Sequence, residues 1–242
     1  MRCAVISDIH GNLEAFRAVL DALVSDSVDS YICVGDVVGY GADPRECLKL
    51  LKSLNPVVAV AGNHEYGVLG IVSMSSFNDL TQEAVSWTKK ALDDSDIEYI
   101  KSFPIIYEYG NMTIVHSSIA SPEEFYYVFD AGDAYVAMTE MQTLLCFIGH
   151  THIPGIFSYD GNKVDLIESD ELRIDSDMKY LINAGSVGQP RDGDPRASYV
   201  IYDDEDAHIE IRRVKYDIKK AQEKILSSGL PQRLAYRLSE GR

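Results

Sequence analysis

Five short apolar runs in this sequence are each followed directly by glycine, aspartate, asparagine or histidine. Each run predicts a buried strand, because short apolar segments bounded by turn residues are typical of strands covered on both faces. Ligands of open α/β sheets lie at the carboxyl ends of the strands, so these polar side chains are expected to meet at one edge. The five predicted strands are Arg2–Ser7, Tyr31–Gly35, Val57–Ala61, Thr113–His116 and Cys146–Gly149.

Helical periodicity separates the first strands. Residues 13–23 place leucine, phenylalanine and valine on one face of a helix. A second helix is predicted with Asp43 as its capping residue, Pro44 at the first position and Glu46 completing a capping box. This helix should end before Pro56, because the residue before a proline is disfavoured in helical geometry.

The rest of the chain is mixed. We predict a helical excursion at about 66–104, a helix after Asp133, and a helical tail at about 217–242 broken at residues 229–231. The later predicted strands are Ile156–Tyr159 and Lys163–Ile167, joined by an Asp160-Gly161 hairpin turn, and then Tyr180–Asn183, Ser198–Tyr202 and His208–Lys215. This order predicts an α/β (α+β) protein, a single domain over 1–242 with two packed sheets and helices outside.

The charge of the chain constrains its partners. Lysine plus arginine number 22 and aspartate plus glutamate 38, a formal charge of −16. So acidic a surface argues against a DNA or RNA binder, whereas a small phosphorylated substrate remains possible because bound cations reverse the local sign. No apolar run has the length of a membrane span or of a signal sequence. Four cysteines without a C-x-x-C pair predict buried free thiols in a reducing cytoplasm.

Histidine is the residue type with the most informative placement. Of six histidines, only His208 lies away from the predicted strand ends, and it is interpreted as structural. The pairs Asp8/His10 and His150/His152 are spaced i, i+2, which in an extended segment directs both side chains the same way. The other members of the set are Asp36, Asn63, His64 and His116.

Each motif has an ordinary alternative when taken alone. Asp8-Ile9-His10 is also typical of a turn at a strand end, residues 62–65 of an exposed turn, and His116 of a core histidine. Taken together, the mixture of imidazole, carboxylate and amide ligands suits divalent Mn, Fe, Zn, Ni or Co. The set is large enough for two ions, and two ions a few Å apart form a clamp suited to displacement at phosphorus.

The order of these motifs resembles that of the calcineurin-like metallophosphoesterases. The pattern of that family, D-x-H, G-D, G-N-H-[DE], a lone H and G-H-x-H, is present in order from Asp8 to His152. The segment 183–191, N-A-G-S-V-G-Q-P-R, is similar to that of the YfcE-like bacterial and archaeal branch. The resemblance implies a four-layer sandwich of two mixed β-sheets flanked by helices.

The resemblance also implies roles for individual residues. A hydroxide bridging two divalent metals, Mn before Fe, Ni, Zn or Co, would attack phosphorus. The implied catalytic residues are His64, which contacts the phosphate and protonates the leaving oxygen, and Asn63, which is also a ligand. The implied ligands are Asp8, His10, Asp36 and His152 for the first ion, and Asp36, Asn63, His116 and His150 for the second, with Asp36 bridging.

One departure from the family narrows the function. Protein serine/threonine phosphatases carry an aspartate and an arginine where this chain has Gly39 and Tyr40, which argues against that activity and leaves the partner of His64 open. Arg191 and Arg196 flank a loop and either contact the substrate phosphate or are solvated.

The aromatic residues and the tail also leave alternatives open. Tyr126 and Tyr127 either stack on an aromatic leaving group or, the favoured interpretation, pack in the core. The helical tail either packs as an ordinary helix, the favoured interpretation, or covers one end of the site or mediates a homo-oligomer.

The expected function is hydrolysis of phosphodiesters or phosphomonoesters of small, nucleotide-like molecules. Two alternatives belong to other classes. A catalytically inactive metal-binding scaffold would have lost ligands, but every expected ligand and His64 is present. A nuclease would need a local basic groove, and the lysines at 215–224 are better interpreted as part of a helix with mixed charges.

Overall fold

The computed structural model describes all 242 residues, which form twelve strands and eight helices. The strands are β1 (Arg2–Ile6), β2 (Ser30–Cys33), β3 (Val58–Ala59), β4 (Ile106–Tyr109), β5 (Met112–Val115), β6 (Leu145–Ile148), β7 (Gly155–Tyr159), β8 (Val164–Ile167), β9 (Glu171–Arg173), β10 (Lys179–Asn183), β11 (Ala197–Asp203) and β12 (His208–Val214). The helices are α1 (Leu13–Val24), α2 (Pro44–Ser53), α3 (Asn63–Leu69), α4 (Asp79–Ala91), α5 (Asp94–Lys101), α6 (Ala131–Glu140), α7 (Ile218–Ser227) and α8 (Gln232–Glu240).

The strands form two mixed six-stranded sheets. The first has the order β3-β2-β1-β11-β12-β9, and β1, β2 and β3 are parallel. The second has the order β4-β5-β6-β10-β7-β8, and β5, β6 and β10 are parallel. The predicted arrangement of two mixed sheets flanked by helices is confirmed.

The core between the sheets follows from the alternation of side chains along each strand. In β1, Cys3 and Val5 face the second sheet, while Ala4 and Ile6 face the helices on the other side. Phe147 of β6, which has no exposed surface, belongs to the same inner cluster as Cys3 and Val5. Strands buried on both faces therefore need apolar residues at every position, which is why the sequence shows continuous apolar runs.

Helices cover the outer faces. α1 and α2 bury Phe16, Val19 and Leu51 against the first sheet, and α6 buries Met138 against the second. The tail helices α7 and α8 form a separate cluster with Tyr40 and with α4. None of the helices is both long enough and apolar enough to cross a membrane.

The structure differs from the sequence-based expectations at several boundaries. Asp43 precedes α2 as predicted, but its side chain caps no backbone N–H and instead accepts from Lys224 at 2.8 Å, so the predicted capping box is wrong. α6 begins at Ala131 with Asp130 as its cap, earlier than expected. Strands β4 and β9 were not predicted, because edge strands with exposed side chains carry no apolar run.

Candidate metal centre

The loops after β1, β2, β3, β5 and β6 converge on one buried polar cluster. Parallel strands within each sheet end at the same edge, and the two sheets present that edge together. The side chains of this cluster are buried except that of Asn63, which is half-buried. The cluster contains Asp8, His10, Asp36, Asn63, His64, His116, His150 and His152.

Within the cluster, ligand atoms form three groups whose members lie within 4.8 Å of one another. These groups are Asp8/His10/His152, His10/Asp36/His64 and Asp36/His116/His150. In the first group His152 Nε2 lies 3.1 Å from Asp8 Oδ1, and in the third His116 Nε2 lies 3.2 Å from Asp36 Oδ2. His10 and Asp36 each belong to two groups, so these two side chains connect the three groups.

Backbone carbonyls fix the orientation of three imidazoles. Each of these rings pairs through Nδ1 with a carbonyl oxygen, so Nδ1 carries a proton and Nε2 faces the cluster. Nε2 of His10 and Nε2 of His152 lie only 3.0 Å apart, so a shared proton or a bound cation would relieve the repulsion between their lone pairs. The Nδ1 pairings are His10 with Val38 O at 3.0 Å, His116 with Val34 O at 2.7 Å, and His152 with Gln189 O at 2.6 Å.

Several buried atoms of the cluster have no hydrogen-bond partner in the protein. A buried nitrogen or oxygen without a partner is costly, so its presence in a native site needs a ligand to explain it. The residues present therefore fit bound metal cations. The unpartnered atoms are Asp8 Oδ1, Asn63 Oδ1, His116 Nε2 and His150 Nε2.

Burial and charge determine the protonation of the cluster. Burial lowers the pKa of His150 and of His152 to about 3, which keeps both rings neutral as metal ligands must be. Burial alone would raise the pKa of Asp36, but the charge of His116 holds it well below its usual range. Conversely, burial opposes the charged form of His116 while Asp36 raises the pKa of His116 to about 10. The site thus has a fixed negative carboxylate at its centre.

The backbone around these side chains is not extended. Asp8, His10, Asp36, His150 and His152 all have φ between 49° and 66°. The prediction that i, i+2 residues point together because the segment is extended is therefore wrong, although the paired side chains do face the same cluster. Left-handed geometry in non-glycine residues costs free energy and is concentrated at functional sites.

Glu65 holds the loops of the cluster together and was missed in the sequence. Its buried carboxylate accepts hydrogen bonds from the backbone N–H groups of Asp36 (2.9 Å), Val37 (2.8 Å), Val38 (3.2 Å) and Gly62 (2.8 Å). Burial, assisted by the charge of Asp36, raises the pKa of Glu65 to about 7. The only signal in the sequence is the acidic residue that follows His64.

His64 lies within the cluster, on the first turn of α3. Its ring contacts Tyr40 and His10, with centroids 4.4 and 4.7 Å away, and its Nδ1 has no hydrogen-bond partner. A β-carbon at Gly39 would overlap that Nδ1, so no aspartate fits where the protein phosphatases carry one. Burial places the pKa of His64 well below its ordinary value, which makes the ring neutral.

The arginines are placed differently from one another. The guanidinium of Arg191 donates to Gln189 Oε1 at 2.9 Å and lies 5.6 Å from the centre of the Tyr40 ring. Arg196 donates from Nε to both carboxylate oxygens of Asp194, at 3.1 and 2.9 Å, and has no contact with the cluster. Arg237 of α8 was not singled out in the sequence; burial, together with the charge of Arg191, lowers the pKa of Arg237 to about 10.

The remaining predicted residues fall as follows. His208 lies in β12, with Nε2 3.9 Å from Glu171, outside the cluster. Tyr126 and Tyr127 are 57% and 47% exposed, so the favoured interpretation of core packing is wrong for both.

The segment 183–191 closes the site, since Ser186 Oγ donates to Asp8 O and Asn183 Nδ2 donates to Gly149 O, both at 2.8 Å.

The comparisons with known proteins agree on one family. Residues 1–207 match the model of the calcineurin-like phosphoesterase superfamily domain. The chain is 45% identical over 243 residues to an uncharacterized protein of Methanocaldococcus jannaschii, covering 99% of this chain and 98% of that protein. It is 25% identical over 190 residues to a symmetrical bis(5'-nucleosyl)-tetraphosphatase of Methylococcus capsulatus, with 76% of this chain but only 64% of that protein covered.

Solved structures agree with this result. A metallophosphoesterase from Sphaerobacter thermophilus superposes with a TM-score of 0.88 at 37% identity, and the match covers 100% of both chains. A hypothetical protein from Pyrococcus horikoshii superposes with a TM-score of 0.81 at 18% identity, covering 100% of this chain and 98% of the other, and supports the fold alone.

Proposed function

Because the chain belongs to the calcineurin-like phosphoesterase superfamily, we propose that it hydrolyses phosphate esters of small molecules with two divalent metal ions. One observation carries the proposal. Two groups of buried ligand atoms lie side by side, and the group between them shares His10 with the one and Asp36 with the other. Several nitrogen and oxygen atoms of the cluster have no partner in the protein. Such an arrangement is suited to a pair of cations and to little else.

The proposed ligands follow the geometry of the cluster. One ion would be held by Asp8, His10, His152 and Asp36. The other would be held by His116 and His150, again with Asp36. Asn63 Oδ1, which has no partner, completes the second set. Imidazole, carboxylate and amide ligands suit Mn, which we favour, or Fe, Ni, Zn and Co.

When bound, the ions supply activation of the attacking water and neutralise charge on the phosphoryl oxygens. The protein's own groups do the rest. Arg191 lies next to the histidines and would bind a phosphoryl oxygen, while its bond to Gln189 orients the guanidinium. Arg196 has no contact that supports a role in binding.

His64 is the proposed proton donor to the leaving oxygen. Its ring is neutral when only the protein surrounds it, since burial lowers its pKa. An anionic phosphate placed against the ring favours the imidazolium and would raise that pKa, so the proton is acquired with the substrate. Gly39 leaves His64 without a carboxylate partner, which makes the acid dependent on the substrate's own charge.

The substrate class is proposed from charge and kinship. A chain with a formal charge of −16 is unsuited to a nucleic-acid backbone, and a small nucleotide-like ester is favoured. One distant relative bears the name of a bis(5'-nucleosyl)-tetraphosphatase, which supports a nucleotide-like substrate. Because the chain retains His64, phosphomonoesters as well as phosphodiesters are proposed substrates.

The test uses metal-stripped protein with bis(p-nitrophenyl) phosphate and p-nitrophenyl phosphate, with and without manganese. Manganese should restore turnover and raise the melting temperature, because a ligand that binds only the folded state stabilises it. Asp36→Asn should reduce turnover at least about 100-fold and remove the thermal shift. His64→Ala should reduce turnover about 10²- to 10⁴-fold while keeping the thermal shift.

The matched control is His208→Ala, which removes a histidine outside the cluster and should change neither readout. If folded protein bound metal but turned over neither substrate with Mn, Ni, Co, Zn or Fe, the scaffold alternative would replace the proposal. Cleavage of DNA at a higher rate than either small ester would instead favour the nuclease alternative.

A further inference from the structure

A cavity of about 700 Å³ opens directly beside Asn63 and His150, and both residues contribute to its wall. Cavities of this size are typical of small-molecule sites. Because Asn63 and His150 are proposed ligands of the second ion, a substituent esterified to the bound phosphate would extend into this cavity. The position of the cavity therefore indicates that it receives one ester group of the substrate.

Five of the thirteen residues that line the cavity are phenylalanine or tyrosine, and we call it the aromatic pocket. Tyr127 stacks on His150 with ring centroids 4.1 Å apart and an interplanar angle of 17°, and on Phe129 with centroids 5.0 Å apart, so a stack of rings lies next to the metal centre. Tyr126 is more exposed still. Exposed rings around a polar centre offer planar apolar surface to a ligand. The aromatic residues are Tyr66, Phe77, Phe125, Tyr126 and Tyr127.

The backbone holds these rings in place at a cost. Ser121 and Phe125 have φ of 55° and 52°, in the left-handed region that bulky residues rarely adopt. The bend at Phe125 turns its ring inward, edge-on to Tyr66 with centroids 5.3 Å apart, and leaves Tyr126 facing the cavity. Strained backbone persists where the surrounding structure enforces it, which indicates a built wall.

The charge of the pocket is one-sided. Glu123 and Glu124 line it, and no lysine or arginine contributes to the wall. Beyond the metal centre itself, a phosphate or carboxylate in this cavity would face two like charges and no basic side chain. The negative rim therefore disfavours anionic substituents on this side of the metal centre.

We propose that the aromatic pocket binds one ester substituent of the substrate, and that this substituent is a planar aromatic ring without negative charge, such as a nucleobase or an aryl group. The inference rests on the proposed function, since it needs a phosphate at the metal centre. It predicts that any further phosphate groups of the substrate point away from the pocket.

Phosphonates test this without turnover, because their P–C bond is not hydrolysed. Affinities of methylphosphonate, phenylphosphonate and 4-carboxyphenylphosphonate are measured by calorimetry on manganese-loaded protein. Phenylphosphonate should bind about tenfold more tightly than methylphosphonate, as expected for one stacked ring. The carboxylated ring should lose most of that advantage, and Glu123→Gln with Glu124→Gln should restore it.

Tyr126→Ala should reduce the phenyl-to-methyl ratio of affinities towards one. The matched control is Tyr135→Ala, because Tyr135 is a similarly exposed tyrosine outside the pocket and its removal should leave the ratio unchanged. Equal affinities for phenyl- and methylphosphonate in the unsubstituted protein would overturn the inference, as would tighter binding of the carboxylated ring. Failure of the proposed function is distinguishable, because then neither inorganic phosphate binding nor ester hydrolysis would depend on manganese.

Discussion

Single atoms explain the chemistry of this site. Each imidazole whose Nδ1 is bound to a carbonyl oxygen has only Nε2 left, and that atom faces the carboxylates of Asp8 and Asp36. Glu65 is also fixed by backbone bonds: its two oxygens accept four backbone N–H groups and so hold the loops after β2 and β3 together. Ligand direction is therefore fixed by bonds to the backbone.

The contact between Gly39 and His64 gives a prediction at this scale. Gly39→Ala should lower turnover of p-nitrophenyl phosphate at least about tenfold, because the added methyl group overlaps His64 Nδ1 and displaces the proposed acid. Manganese should still raise the melting temperature, since no proposed ligand is touched. Steady-state kinetics and thermal melts measure the two effects.

Gly161→Ala is the matched control for Gly39→Ala. Gly161 has φ of 93° against 92° for Gly39, so both substitutions carry the same backbone strain, but nothing lies within 4 Å of a β-carbon at 161. The control should cost about 1 kcal/mol of unfolding free energy with unchanged turnover. Equal losses of turnover in the two variants would contradict the role given to His64.

At the scale of elements, the tail helices are fastened to the part of the fold that carries the site. Lys224 of α7 binds Glu14 of α1 and Asp43 before α2, both at 2.8 Å. α7 and α8 also line a small gap next to His10 and Tyr40 through Ile225 and Leu238. The tail thus packs as an ordinary helical pair and borders the site as well.

Lys224→Met should lower the unfolding free energy at pH 7 by about 2 kcal/mol, because Asp43 loses its cation and Glu14 keeps only the weaker pair with Lys220. Burial alone would raise the pKa of Glu14, but Lys224 and Lys220 lower it, so its stabilisation is present above its unfolded pKa of about 4.3 and is lost as pH falls through the folded value. Burial raises the pKa of Asp43 despite Lys224, so protonation of Asp43 relieves a cost.

Both pKa shifts predict that the difference in unfolding free energy between Lys224→Met and the unsubstituted protein becomes smaller below about pH 4. Urea unfolding across the pH range measures it. Lys219→Met is the control, because Lys219 is exposed and its pair with Glu223 at 3.8 Å contributes little. A gap that widened with acid would contradict the assignment.

For the whole molecule, the two sheets share one core and should unfold together. The four free cysteines of the chain lie in β1, β2, α2 and β6, so their reactivity reports on both sheets and on a covering helix. All are buried, and burial raises the pKa of Cys3 to about 11 and that of Cys146 to about 12. Buried thiols of this kind do not react as thiolates in the folded state.

We therefore expect a disulfide reagent such as DTNB to label none of the four thiols in the native protein and all four in guanidinium chloride. In intermediate denaturant, labelling of all four should follow one transition that coincides with the loss of circular dichroism, because exposure requires global unfolding. Early labelling of Cys146 alone would show that the second sheet unfolds separately.

The sequence by itself determined the strands, their polar ends and the family, because these signals are local. An apolar run predicts a doubly covered strand wherever it occurs, and the spacing of Asp8 to His10 or of His150 to His152 is fixed by the chain. The mixed two-sheet fold followed from the order of those elements and from the resemblance. Strands β4 and β9 escaped because edge strands need no apolar residues.

Only the tertiary structure decided the contacts between distant segments. Asp43 exchanged its expected capping bond for Lys224, 181 residues away, because a charged partner is stronger than a helix N–H. The need for glycine at 39 depends on the ring of His64, and Tyr126 and Tyr127 became a pocket wall because the strained bend at Phe125 exposes them. Such pairings depend on side chains meeting across the fold, and no local pattern in the sequence records them.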